Sequence, residues 1–335
     1  MNPRDYDIFE DDLDILEILD QGFPRRIYNR ANAFESLDNW GFYRRYGLTK
    51  EIVLDILHLI ENQLEFPSDM NNSVSPINQL LTCLRFFASA GYLQTIADVQ
   101  GMHVSTVSRI VKKVSVALAR LSNRFIKMPD TPANIAATQQ KFFDIAEFPR
   151  VLGAVDGTHV KIQSPGGNDG EVFRNRKTYF SINVQCVSDG ELNIEDIVVR
   201  WPGSAHDSTI FNNSRIRARF ENNEFPDNLL LGYPVRNVVE RLFGVWKRRF
   251  PVLAYGLHLK LETTLPAIVA CAVLHNIANQ ANAPPPPAPE NIDPGQLQIL
   301  IEEGQIPHVP IVSVNGNILV NNARTDFINR YFANL

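Results

Sequence analysis

Cysteine is scarce: Cys83, Cys186 and Cys271 are the three in 335 residues, far apart and without a CxxC spacing. A disulfide scaffold or zinc finger is thereby excluded as the organising element, and a reducing nuclear or cytosolic setting is expected. Long apolar runs are lacking too. None reaches the roughly eighteen uninterrupted residues that a bilayer span needs, so no membrane association is expected. The opening MNPRDYDIFEDDLDILEILD carries acids where a secretory signal carries basic and then apolar residues, and no export is expected. There is no GxxxxGK[ST] run and no strand-linked GxGxxG, which removes the usual nucleotide-binding folds. GxSxG is missing as well. Ser204, His206 and Asp207 lie too close in sequence to adopt a hydrolytic triad readily.

A basic excess is also absent, since the net charge is −5. Its distribution matters more than its sum. Residues 1–20 hold eight acids and one base, so the other 315 residues are slightly basic, with 31 bases against 29 acids. Segment 101–129 has six bases and no acid, and 236–249 has five bases and one acid. Such patches suit phosphate contact, and they also occur as plain solvated helix faces.

What is present divides by period. Residues 48–65 place Ile52, Ile56, Leu59 and Ile60 at helical spacing, and 76–90 forms a second amphipathic stretch. A short helix over 92–100, a break at Gly101 and a basic helix over 104–121 make a helix-turn-helix pattern. It reads as a DNA-contact unit presenting Ser105, Thr106, Ser108, Arg109, Lys112 and Lys113, or as an ordinary helical hairpin. From 151 the pattern changes to runs rich in valine, isoleucine and aromatics. Strands are expected at 151–162, 179–189 and 195–202 with a short LLL strand at 229–231, and helices at 207–222, 235–250 and 264–281. Strands with interleaved helices predict an α/β domain built on a mixed sheet. A proline run at 284–289 predicts an extended linker, and Asn315-Gly316 beyond it predicts a hairpin turn.

Three acids stand out. Asp156 ends a buried-looking strand just before Gly157, where a carboxylate can reach a hard cation or simply shape a turn. Asp207 opens a helix and could be an N-cap. Glu240 shares one side of the 235–250 helix with Arg236 and Lys247, beside the apolar stripe Val235, Val238, Val239, Leu242, Phe243 and Trp246. It reads either as a surface partner of Arg236 or as a metal ligand with cations beside it.

The ordered strings VDGTHVKI, FRNRK with YFSINVQ, DIVVRWPGSAHDSTIF, VVERLFGVWKRRFP and AVLHNIA span roughly 151–278. Together they resemble the nucleases derived from PIF/Harbinger DDE transposases, and the helical region ending SRIVKKV is similar to that family's helix-turn-helix. The resemblance implies an RNase H-like mixed sheet flanked by helices and preceded by an all-helical helix-turn-helix region. The corresponding division is an acidic segment 1–47, helices 48–128, a nuclease domain 145–282 and a tail 283–335. It implies a metal-dependent endonuclease, a hydrolase of DNA phosphodiesters. Asp156, Asp207 and Glu240 would be its catalytic acids and ligands of Mg2+ or Mn2+. Arg109, Lys112, Lys113, Arg236, Lys247 and Arg248 would meet DNA. A Myb/SANT-like DNA-binding partner and a nuclear and cytoplasmic location are further implications.

One family motif is broken. The pattern LLGDSGYP supplies an aspartate ligand, whereas this chain runs Leu230-Leu231-Gly232-Tyr233-Pro234 and straight into the glutamate helix. The nuclease domain is thus expected to be truncated between 232 and 235. Two divalent cations about 4 Å apart repel by roughly 16 kcal/mol at an effective dielectric of 20. A lost carboxylate therefore threatens the second metal first. The chain is expected either to cleave DNA poorly or to be a non-catalytic DNA- or protein-binding module.

Overall fold

A computed structural model of the protein describes residues 33–65, 73–167, 170–232, 236–289 and 291–304. The acidic opening and the Asn315-Gly316 turn lie outside the described residues. After the short helices Ala33–Ser36 and Asn39–Tyr46, the longer helices form where the sequence supplies an apolar stripe and an end signal. α1 (Lys50–Leu64) starts at Thr49, whose hydroxyl accepts from the Ile52 amide, and buries Ile52, Val53, Ile56, Ile60 and Leu64. α2 (Pro76–Phe87) opens on proline, whose missing N–H costs nothing in a first turn. α3 (Leu93–Gln100) stops at Gly101, in the left-handed conformation with φ 59°. α4 (Val104–Ala119) then presents Val107, Ile110, Val111, Val114 and Leu118 to the core.

α5 (Pro132–Ala146) has no counterpart among the sequence expectations. Its apolar residues are spread around the helix, with Phe143 and Ile145 exposed, so no stripe announces it. It leads into a four-stranded sheet of β1 (Val151–Lys161), β2 (Ser181–Ser188), β3 (Ile194–Pro202) and β4 (Leu229–Leu231), in the order β3-β2-β1-β4. β1 runs antiparallel to β2 and parallel to β4, and β2 is antiparallel to β3, so the sheet is mixed as expected. The helix expected over 207–222 is divided into α6 (Asp207–Asn212) and α7 (Arg215–Glu221). Ser214 interrupts it by capping the second piece through the Arg217 amide.

α8 (Arg236–Arg249) and α9 (Leu261–Gln280) complete the sheet's surroundings. By length and composition α9 would pass for a membrane span, yet 72% of its apolar window is buried within the protein. It is apolar on nearly every side because it is enclosed between α4 and β3. One continuous apolar core consequently runs from Phe42 through α1, α2, α4 and α9 to Val160 and Val184 of the sheet. A smaller cluster of Met128, Leu152, Val187, Ile216 and Phe225 fills the opposite sheet face beneath α6 and α7. After the proline run, α10 (Pro294–Glu303), another helix without a sequence expectation, seats Leu297 and Ile301 on Ala254.

Candidate active site

Alternation along the strands decides which acids can meet. On β1 and β2, Ala154, Val160, Ile182, Val184 and Cys186 belong to the large core, beside Val239 and Phe243 of α8. Asp156 and Thr158 have the same parity as Ala154 and Val160, and Asp156 stands opposite Cys186. Thr158 makes the contact to α8 explicit, because the Lys247 ammonium donates to its hydroxyl at 2.8 Å. Asp156 therefore faces the α8 side.

Glu240 lies on that side too. It precedes Lys247 by seven residues, two helical turns, so the two share one stripe of α8. The helix starts just after β4, which pairs with Val151–Ala154, and leads to Leu257, which bridges Ile162 at the far end of β1. α8 thus runs along β1 in the same sense. With Lys247 over Thr158, Glu240 falls toward the Asp156 end.

Asp207 is placed differently. Its carboxylate accepts from Asn183 Nδ2 at 2.9 Å, and Asn183 has the parity of Val187, on the face covered by α6 and α7. The sheet brings Asp156 and Glu240 to one side and sets Asp207 on the other. Among the described residues no three His, Cys, Asp or Glu side chains gather closely enough to hold a metal ion.

β4 bears on the same point. It is three residues long and pairs no further along β1 than Ala154, so the β1 edge beyond that point continues without it. There the Gly157 amide donates to its neighbour's carboxylate, Asp156 Oδ1, at 2.9 Å. Farther on, the His159 amide donates to Gly304 O at 2.8 Å and Leu257 donates to Lys161 O at 3.0 Å.

The expected cations separate by burial. Lys247 is fully buried (0% exposed), bonded to the Thr158 hydroxyl and, at 2.9 Å, to His159 O. In this arrangement Lys247 is closed off from DNA, contrary to the sequence expectation: helical angle placed it beside Glu240, but that stripe faces the sheet. Burial, with Lys161 adding to it, brings its ammonium down to about 7. Burial also lowers His159 to about 4, helped by Lys247 and Lys177. Lys113 is half-buried and donates to Leu64 O at the end of α1, and Ser105 is buried against His103. Arg109, Lys112 and Arg248 are exposed, with Lys112 paired to Glu262 at 2.6 Å. The side chain of Arg236 lies outside the described residues.

The remaining motif residues hold the scaffold. Gly203 sits so close to Ser181 and to Phe173 O that a side chain there would collide with them. Asn175 Oδ1 accepts from the Lys177 and Tyr179 amides and shapes the turn before β2. Asn276 stitches the Ile194 backbone and Phe125 O together from α9.

Residues 155–234 match the family described as DDE superfamily endonuclease. The rat (Rattus norvegicus) protein HARBI1, named as a candidate nuclease, is 30% identical over 294 residues, covering 78% of this chain and 84% of that protein. HARBI1 of Homo sapiens is 28% identical with the same coverage. An ALP1-like protein of Arabidopsis thaliana is 27% identical over 202 residues, 58% of this chain and 47% of its own length. No solved structure matches the chain significantly.

Proposed function

The chain belongs to the Harbinger-derived nucleases of the DDE superfamily, and from that premise we propose that it acts on DNA phosphodiesters through a reduced metal site. The observation that carries the reading is the shared sheet side of Asp156 and Glu240, two hard oxygen donors held by different elements. One or two carboxylates with water and substrate phosphates suffice for Mg2+ or Mn2+. When bound, the cation would supply Lewis-acid stabilisation of a phosphodiester oxygen. Asp207, on the other face, is assigned to positioning Asn183 and the start of α6 rather than to the ion. The missing Asp-Ser-Gly leaves a site for one cation where the family pattern has the ligands for two, and cleavage is correspondingly slow.

α3, the Gly101 turn and α4 form the helix-turn-helix of this proposal, with Arg109 and Lys112 toward phosphate. The same premise extends it to a Myb/SANT-like DNA-binding partner and to a protein shared between nucleus and cytoplasm. A second reading, a DNA-binding module without catalysis, is favoured by the separation of Asp207 from the other two acids. Supercoiled plasmid nicking in Mg2+ or Mn2+ separates the two. Cleavage is expected to be weak, to need the divalent ion, and to vanish in both Asp156→Ala and Glu240→Ala. Salt-sensitive DNA association without nicking under either ion selects the binding module instead.

A further inference from the structure

The C-terminal end of α10 enters a cradle rich in hydrogen-bond donors. Asp293 caps the helix start through the Gln296 amide, and Leu297 and Ile301 anchor its apolar side. At its other end, Glu303 O accepts from Lys177 Nζ at 2.6 Å and from the Tyr179 hydroxyl at 3.2 Å. The Glu303 carboxylate pairs with Lys161 at 3.0 Å. Gly304 O accepts from the His159 amide at 2.8 Å and the Thr158 hydroxyl at 3.0 Å. Lys247 stands directly behind Gly304, so close that a Cβ on Gly304 would strike its Nζ.

Two lysines, a tyrosine, a threonine and a backbone amide thus converge on two carbonyls and a carboxylate at the C-terminal, negative end of a helix, with Lys247 beside them. That is the complement of a phosphate group, whose oxygens are recognised by cations, hydroxyls and main-chain N–H. The same crowding bears on Lys247, whose ammonium is lowered first by burial and then further by Lys161 and Lys177. Here two carbonyls and a carboxylate are met by five donors, with Lys247 adjacent.

We infer that Thr158, His159, Lys161, Lys177, Tyr179 and Lys247 form a phosphodiester-binding cradle, which the end of α10 occupies as an internal stand-in. The inference rests on the DNA reading above for the source of the phosphate. Release of α10 opens Lys247 and the β1 edge to the nucleic acid, so the helix is an autoinhibitory strap.

The test uses the full chain carrying Gly304→Val with Ile301→Asp, the first colliding with Lys247 and the second undocking the apolar face. A short fluorescent duplex is titrated in EDTA, so that neither a cation nor cleavage enters and a failure of the nuclease reading stays separate. Hydrogen exchange follows α10. We expect lost protection in α10, and affinity for the duplex raised about tenfold at fixed low salt. Adding Lys161→Ala and Lys177→Ala should return it to the starting level. A released helix without that gain, a gain that survives the lysine substitutions, or retained protection of α10 in the double variant each overturns the inference. Inorganic phosphate forms a second arm. If it protects the released protein against exchange while the duplex does not bind, the cradle serves free phosphate and the DNA assignment falls.

Discussion

Asn276 illustrates how a family motif can carry structure rather than chemistry. It is 1% exposed, accepts from the Ile194 amide at 2.8 Å, and donates to Ile194 O at 2.7 Å and Phe125 O at 2.8 Å. One side chain therefore satisfies the first residue of β3 and the segment after α4 together. Truncation leaves a buried N–H and two buried carbonyls, so Asn276→Ala should cost about 3 kcal/mol in urea unfolding. Asn279, one turn on and half-buried, donates to Leu192 O at 3.0 Å; its alanine variant should cost about 1 kcal/mol or less. Equal costs at the two positions would remove Asn276 from this role. Nothing in AVLHNIA as a string separates such a stitch from a catalytic amide. The distinction depends on which backbone groups lie opposite, and those come from residues 82 and 151 positions away.

At the scale of elements, α4 shows which part of the fold can be read in advance. Its stripe of Val107, Ile110, Val111, Val114 and Leu118 follows the helical period and is buried as that period requires. The β-rich runs, the LLL strand and α8 were legible for the same reason, since local period and local burial agree there. α5 and α10 were not. The first scatters its apolar residues, and the second owes its place to a docking site on Ala254 that no local pattern records. The three candidate acids were legible as residues, but their sheet faces depend on strand register and on α8's rotation. Polar positions on a helix are equally ambiguous. Lys113 and Lys112 are neighbours in sequence, yet Lys113 donates at 2.9 Å to Leu64 O, capping α1, while Lys112 stays exposed. Lys113→Ala should thus lower stability by about 1 kcal/mol, as loss of a helix-end cap does. Arg109→Ala and Lys112→Ala should leave stability within about 0.5 kcal/mol and weaken DNA binding, each reducing the salt slope by about 0.9. Thermal melts and binding isotherms at several salt concentrations read both effects. The opposite pattern, with Lys113 governing affinity, would remove the cap assignment and return it to the DNA face.

For the molecule as a whole, the decisive feature is that the helical region and the sheet draw on one core. α9 supplies it: Ala270, Cys271, Val273 and Leu274 are all fully buried, with α4 on one side and β3 on the other. Neither region alone can cover that helix, and an uncovered apolar helix of 20 residues is a strong penalty against separate folding. The expectation that follows is one cooperative transition for the helices and the sheet together. Native-state hydrogen exchange should give amides in α2, α4 and β2 the same largest opening free energy, within about 1 kcal/mol. Val273→Ala, which removes buried methyl groups from the shared helix, should lower all three by the same amount, about 2 kcal/mol. A drop confined to one region would mean that the helices and the sheet open independently, and would divide the protein where its core now joins it. Because phosphate contacts proposed for α4 and a cation proposed for β1 and α8 would rest on that common helix, their relative position is fixed as firmly as the core itself. On the DNA reading proposed above, a duplex gripped at the α4 end would be presented to the acids at a set distance, without a hinge between binding and cleavage.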